Sequence, residues 1–297
     1  MAITIAGSGI VSANIADGTI VSADIANGTI VAADIADNQN LGIENFVPRG
    51  LICSNDTDAS HDVAISVGGV RDATNTVNMS LAAILTKRID AAWAVGDNNG
   101  GLDGTESSGG TPDASTMYYI WLIERSDTGV VDALYSESPT SPTMPTNYDY
   151  KRLIGSVLTD GSANILPFTQ TGDYFRYTTP VDDVTDTSIA GDLAYEDGTL
   201  SVPPLCIADV YGRLINTTTT HYNMYLFIKA KGGAEASNGA DAWIAVQTGG
   251  VGDQIGRGGT IPVNASRVVE YMAPEQSGDA KVDISTVGFW MLTRSNP

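Results

Sequence analysis

Catalysis by a nucleophile needs a base, and the chain of 297 residues holds two histidines, His61 and His221. A Ser-His-Asp relay requires a histidine held by a carboxylate. His61 precedes Asp62, but neighbours on a strand point to opposite faces. His221 sits in a Thr-rich turn. The 35 Asp and Glu residues leave a glycosidase pair open by number alone, and no spacing selects one. The expectation is a protein without enzymatic turnover and without a cofactor.

Oxygen-rich loops are the best metal candidates. Asn55-Asp56-Thr57-Asp58 and the stretch from Asp97-Asn98-Asn99 to Asp103 could offer calcium ligands. Neither follows the EF-hand ladder with its late Glu. Asp and Asn also shape turns by bonding their own backbone, so calcium is expected only as an optional structural ion. The run Gly249-Gly-Val-Gly-Asp-Gln-Ile-Gly256 resembles a phosphate loop loosely, lacks the Lys-Ser/Thr ending, and reads as a mobile loop. Tyr118, Tyr119 and Trp121 alternate, so one face could stack on sugars, although core or subunit packing is the simpler use. Cys53 and Cys206 lie in apolar contexts that suit buried thiols, and a disulfide between them stays open.

The elements that must position these residues read as β. Gly is abundant at 32, aromatics are 7% of the chain, and the apolar fraction of 42% provides a core. Strand-like segments include residues 62–67, 76–81, 117–123, 130–136, 152–158, 165–168, 174–178, 205–211, 223–230, 242–248, 267–271 and 282–292, with turn signals between them. Leu81, Ile84, Leu85, Ile89 and Trp93 fall near helical spacing, so one amphipathic helix is expected over 81–93. Residues 96–110 and 182–197 read as long loops. The expected head is a jelly-roll-like antiparallel β-sandwich. The Gly-rich loops 96–110 and 249–259 are the expected outward, variable surface.

The first forty residues differ from the rest. Ile5, Ile10, Ile15, Ile20, Ile25, Ile30 and Ile35 recur on every fifth position within a ten-residue repeat, Ile-Val-Ser-Ala-Asn/Asp-Ile-Ala-Asp/Asn-Gly-Thr. Five residues advance a helix by about 500°, which smears the isoleucines around its surface. In a strand the odd offset sends them to alternate faces. The chain must turn between them, and Asp17-Gly18 and Asn27-Gly28 supply turns. Burying these side chains gives on the order of 10–20 kcal/mol. Ordering the tract costs roughly 1–2 kcal/mol per residue in the backbone. A single copy therefore does not hold itself together, and a threefold bundle of chains is the simplest closed solution. The expected organisation is a repeat arm or stalk over 1–40, a linker over 41–50 and the head over 51–297.

The net charge of −20 disfavours nucleic acid and anionic membranes as partners. No secretory leader is expected, because Met1-Ala2-Ile3-Thr4 has neither a charged start nor a sustained apolar run. No run of about 18 apolar residues is present for a membrane span.

Four stretches carry a resemblance. Residues 78–96 (Asn78-Met-Ser-Leu-Ala-Ala-Ile-Leu-Thr-Lys-Arg-Ile-Asp-Ala-Ala-Trp-Ala-Val-Gly96), 100–104 (Gly-Gly-Leu-Asp-Gly), 123–136 and 148–157 resemble a module of tailed-phage and prophage virion proteins, the tail-fibre-like family. The decapeptides similarly resemble N-terminal repeats of phage fibres. The likeness covers most of the chain and is firmest over 78–174. It implies a non-enzymatic virion structural protein, assembled in the host bacterial cytoplasm. Its partners would be other virion proteins of capsid or tail. The form that fits the short stalk is a trimeric head fibre or capsid decoration protein. A tail-fibre receptor-binding protein that grips host surface glycans is the second form, and a glycan-cleaving tailspike the third. The family carries no catalytic residues onto this sequence.

Overall fold

The computed structural model divides the chain into two units, residues 1–43 and 44–297. It describes residues 48–104, 110–186, 195–217, 224–233, 244–250, 252–273 and 280–291. The repeat arm over 1–40, with its seven spaced isoleucines, lies outside the described residues, as does His221.

Among the described residues there are nineteen strands, β1 to β19 in chain order, and no helix. A seven-stranded sheet has the order β10-β8-β9-β7-β6-β3-β2. Its members are β2 (Cys53–Asn55), β3 (Asp62–Ile65), β6 (Leu85–Ala92), β7 (Asn99–Leu102), β8 (Met117–Arg125), β9 (Val131–Ser136) and β10 (Tyr148–Leu158). A small sheet of β1 (Arg49–Gly50), β4 (Gly68–Arg71) and β5 (Asn78–Leu81) packs against it. A five-stranded sheet follows, order β11-β12-β19-β14-β17, from β11 (Phe168–Thr171), β12 (Tyr174–Asp186), β14 (Ile207–Asn216), β17 (Gln254–Pro262) and β19 (Ala280–Trp290). The four-stranded sheet β13-β18-β15-β16 faces it, built from β13 (Glu196–Thr199), β15 (Met224–Ala230), β16 (Ile244–Thr248) and β18 (Val268–Met272). The head is thus all-β and sandwich-like, as its turn-punctuated sequence implies.

Packing follows from the pattern of each strand. β8 is a near-continuous apolar run, as a strand covered on both faces should be, and it lies between β10 and β9. Tyr118, Tyr119 and Trp121 are all buried there. The aromatic run is core on both faces, which removes it as a sugar-stacking surface. β14 alternates, with Ala208, Val210 and Leu214 turned inward. Between them Gly212 lets the facing sheet approach, since a Cβ there would stand 2.6 Å from Ile228 Cδ1. The two halves of the head share one apolar core. At their joint Gly155 abuts Cys53 Sγ and Phe175, and the Cys53 N–H donates to Gln170 Oε1 at 2.6 Å.

Four expectations change. The loop read over 182–197 begins inside β12 and ends inside β13. Residues 81–93 are not helical: they hold the end of β5 and all of β6. Ile84, which completes the helical stripe, is 63% exposed. The true period is two, with Leu85, Lys87 and Ile89 inward and Arg88 and Asp90 outward. Lys87 hides that period, because a buried lysine reads as a polar position. The loop read over 96–110 contains β7, whose Gly100, Gly101 and Leu102 are buried. β7 pairs parallel with both β6 and β9, so the sheet is mixed. The loop read over 249–259 turns into β17 at Gln254.

Cys53 and Cys206 are both free and buried. Burial pushes the Cys206 thiol up to about 12, and only the thiolate reacts. A soluble aromatic disulfide reagent is therefore expected to titrate two thiols in denaturant and none in native buffer. Fast reaction of the folded protein would contradict this packing.

Candidate functional site

The outer face of the five-stranded sheet carries a candidate surface site. It arises from the alternation of β14, which turns Asp209, Tyr211 and Arg213 away from the core. Register then sets their neighbours. Tyr211 lies opposite Ser285 on β19 and Gly258 on β17, and Arg213 lies opposite Asp283 and Gly256. Asp182 on β12 pairs with Ser285 and completes the row. Between Arg176 and Val181 the β12–β19 register shifts, and the bulge carries Thr179 and Pro180 to the rim. An open groove of about 540 Å³ results, lined by Arg176, Thr179, Pro180, Asp182, Tyr211, Arg213, Asp283, Ser285 and Val287.

Each polar group in the groove has a defined state. Arg213 clamps Asp283 through Nε, 2.9 Å from Oδ2, and through a terminal nitrogen on the same oxygen. Lys281 Nζ stands 3.2 Å from Oδ1 without the alignment of a hydrogen bond. Asp283 is therefore committed to two cations. Ser285 Oγ donates to Asp182 Oδ1 at 2.7 Å, and Asp182 is exposed. Arg176 is exposed and lines the groove, with no ion pair to a carboxylate among the described residues. Tyr211 is 41% exposed. It lies across Gly256, where a Cβ would stand 1.9 Å from its Oη, so a side chain on β17 would lift the ring. Next to the groove Tyr174 stacks on Trp290 with centroids 4.3 Å apart. The Tyr174 hydroxyl donates to Asp209 Oδ2 at 2.6 Å. Burial, followed by that bond, holds it protonated well above the ordinary tyrosine range. The groove offers one aromatic face, Tyr211, with the exposed Arg176 guanidinium and Asp182 carboxylate, a set suited to holding a hydroxyl-rich ligand.

The sequence candidates fall elsewhere. His61 Nδ1 meets Asp58 Oδ2 at 3.0 Å, not Asp62, in an exposed turn. Asp58 also accepts the Ser60 N–H at 3.3 Å, and the histidine bond lowers its pKa first. The two oxygen-rich loops converge on Thr86, whose Oγ1 donates to Asp56 at 2.6 Å and whose N–H donates to Asp97 at 2.7 Å. Asp103 is buried and accepts the Thr143 N–H at 2.8 Å. These carboxylates hold backbone and hydroxyl donors. Among the described residues no three His, Cys, Asp or Glu side chains gather as a metal site does. The groove was foreshadowed only by the strand expected over 205–211, which extends as β14 to Asn216. The groove lining runs from Arg176 on β12 to Val287 on β19, 111 residues apart along the chain.

No protein-family model matches the chain, and no curated protein matches it. Among solved structures, the crystal structure of the infectious bursal disease virus VP2 subviral particle matches at 12% identity and TM-score 0.19, over 85% of this chain and 73% of that one. The structure of infectious bursal disease virus Gx strain matches at 10% identity and TM-score 0.19, over 82% and 70%. At these scores neither likeness bears on the fold or the function of this chain.

Proposed function

We propose that this chain is a non-enzymatic structural protein of a tailed-phage virion, a short trimeric head fibre or capsid decoration protein. The N-terminal repeats anchor it or form its stalk, and the β head projects outward. The observation that carries this reading is the isoleucine on every fifth residue from Ile5 to Ile35, joined to a head that owns a complete apolar core. The head has an extensive core of its own, while the arm has too little apolar surface to order one copy of itself. Such an arm is ordered by other copies or by a virion surface. Static light scattering of the full chain tests the trimer. A mass near three times 31.0 kDa is expected, and a stable monomer with protease-resistant repeats would contradict it.

One observation favours a second reading, a receptor binder that grips host surface glycans. The groove over β12, β14, β17 and β19 combines Tyr211, Arg176 and Asp182, and amphipathic tyrosine suits a ligand with one apolar and one wet face. Incubation with host surface polysaccharide separates the readings. The structural reading expects neither retention nor chain shortening. Retention lost in Tyr211→Ala, without cleavage, would move the protein to the receptor binders. Depolymerisation abolished by a single Asp or Glu substitution would make it a tailspike.

A further inference from the structure

Lys87 and Asp132 take no part in the reading above, yet among the described residues they form the most enclosed pair of opposite charges. Both side chains are 1% exposed, and Lys87 Nζ lies 3.2 Å from Asp132 Oδ1. Lys87 belongs to β6 and Asp132 to β9, with β7 between them in the sheet. The lysine therefore reaches past a four-residue strand. Trp93 roofs the pair: its ring centroid is 5.6 Å from Nζ, and its Nε1 donates to Ala133 O at 3.0 Å. Tyr148 packs edge-on against that ring at 5.2 Å.

The backbone fixes both reacting groups. Nζ donates to Ala94 O at 2.7 Å and to Gly96 O at 3.2 Å. Asp132 Oδ2 accepts the Gly96 N–H at 2.7 Å, and Oδ1 accepts the Ala133 N–H at 2.6 Å. An amine and a carboxyl are thus held against each other, out of water, with a donor on each carboxyl oxygen.

We propose that Lys87 and Asp132 condense into an intramolecular isopeptide bond that ties β6 to β9. A dry site disfavours separated charges, and burial lowers the Lys87 pKa. The ammonium first passes a proton to Oδ1. The freed nitrogen lone pair attacks Cγ, and the negative charge that develops on Oδ2 is met by the Gly96 N–H, as in an oxyanion hole. The N–Cγ bond forms, the Cγ–Oδ1 bond breaks, and Oδ1 leaves as water. Of the three ammonium hydrogens, one stays on the amide nitrogen and two leave with the water. No oxidant, metal or cofactor enters the balance. Fixed juxtaposition of this kind is worth effective molarities of roughly 10⁵–10⁸ M, and expulsion of the water from an apolar site draws the condensation forward.

Intact-mass spectrometry of the full chain, folded at neutral pH and then denatured, decides the matter. A mass one water below that of the sequence is expected, with a branched peptide joining Lys87 to Asp132 after digestion. Asp132→Ala and Lys87→Arg should each restore the full mass. A wild-type mass equal to the sequence would leave a plain ion pair and overturn the proposal. A water loss that persists in Asp132→Ala would also overturn it, since it would mark a cyclic imide at an Asp-Gly step such as Asp160-Gly161. The wild-type measurement stands even if a variant fails to fold.

Discussion

Tyr135→Ala is expected to destabilise the head by about 3–5 kcal/mol, in the range of large-to-alanine changes in a close-packed core. For a domain of this size that lowers the melting temperature by about 10 °C. Tyr135 is 1% exposed, at the centre of the seven-stranded sheet, on β9 beside β7. Its ring fills the space left by Gly101, where a Cβ would stand 2.6 Å from the ring. Its hydroxyl donates to Lys87 O at 2.8 Å. Tyr135→Phe keeps the ring and loses only the hydroxyl's hydrogen bonding, to Lys87 O and from the Val63 backbone, at a cost of about 1–2 kcal/mol. The two variants thus separate packing from hydrogen bonding. Equal losses in the two would contradict the packing described.

The same residue sets an alkaline limit. Burial raises the pKa of Tyr135 and of Tyr177 well above the ordinary value. A group with a raised folded pKa contributes stability that is fully present below its unfolded value. That contribution is lost as pH rises. Stability is therefore expected to fall above about pH 10, less steeply in Tyr135→Phe. Thermal melts across that range measure the slope.

Ile15→Asp combined with Ile25→Asp is expected to turn a trimer into a monomer, a threefold fall in mass, while the head melts where it did before. Each substitution places a carboxylate where the proposed bundle buries an apolar side chain, and an uncompensated buried charge is not tolerated. The head has its own core over 51–291, so its transition should hold. Light scattering and calorimetry of the same sample read both effects. A trimer that survives both charges would show that the repeats do not hold the copies together. A head that melts with the arm would show that the two are one cooperative unit.

The sheets were legible wherever a strand keeps one rule along its length. β8, a continuous apolar run, and β15 and β16, which alternate, stand within a few residues of their sequence boundaries. Legibility fails where a tertiary partner overrides the pattern. Lys87 is polar in sequence and core in space because Asp132 meets it, and that inversion turns β6 into an apparent helix. β7 and β17 are built on glycines, which sequence reasoning assigns to loops, yet Gly101 admits Tyr135 and Gly256 admits Tyr211. The groove was illegible for a related reason. Alternation shows that Tyr211 and Arg213 face outward, but only register brings Asp283, Ser285 and Asp182 beside them. The isoleucine repeat is the reverse case, plain in sequence and outside the described residues.

The central claim is that this chain is a virion structural protein with a repeat-anchored, threefold β head. Cryo-electron microscopy of intact virions that encode it, with mass spectrometry of the purified particles, tests that claim most directly. The account predicts the chain among the virion proteins. It also predicts a threefold projection on the particle surface into which three copies of the head fit, with the repeats at its base. Virions that lack the chain, or that carry it as single copies docked through the head, would contradict it.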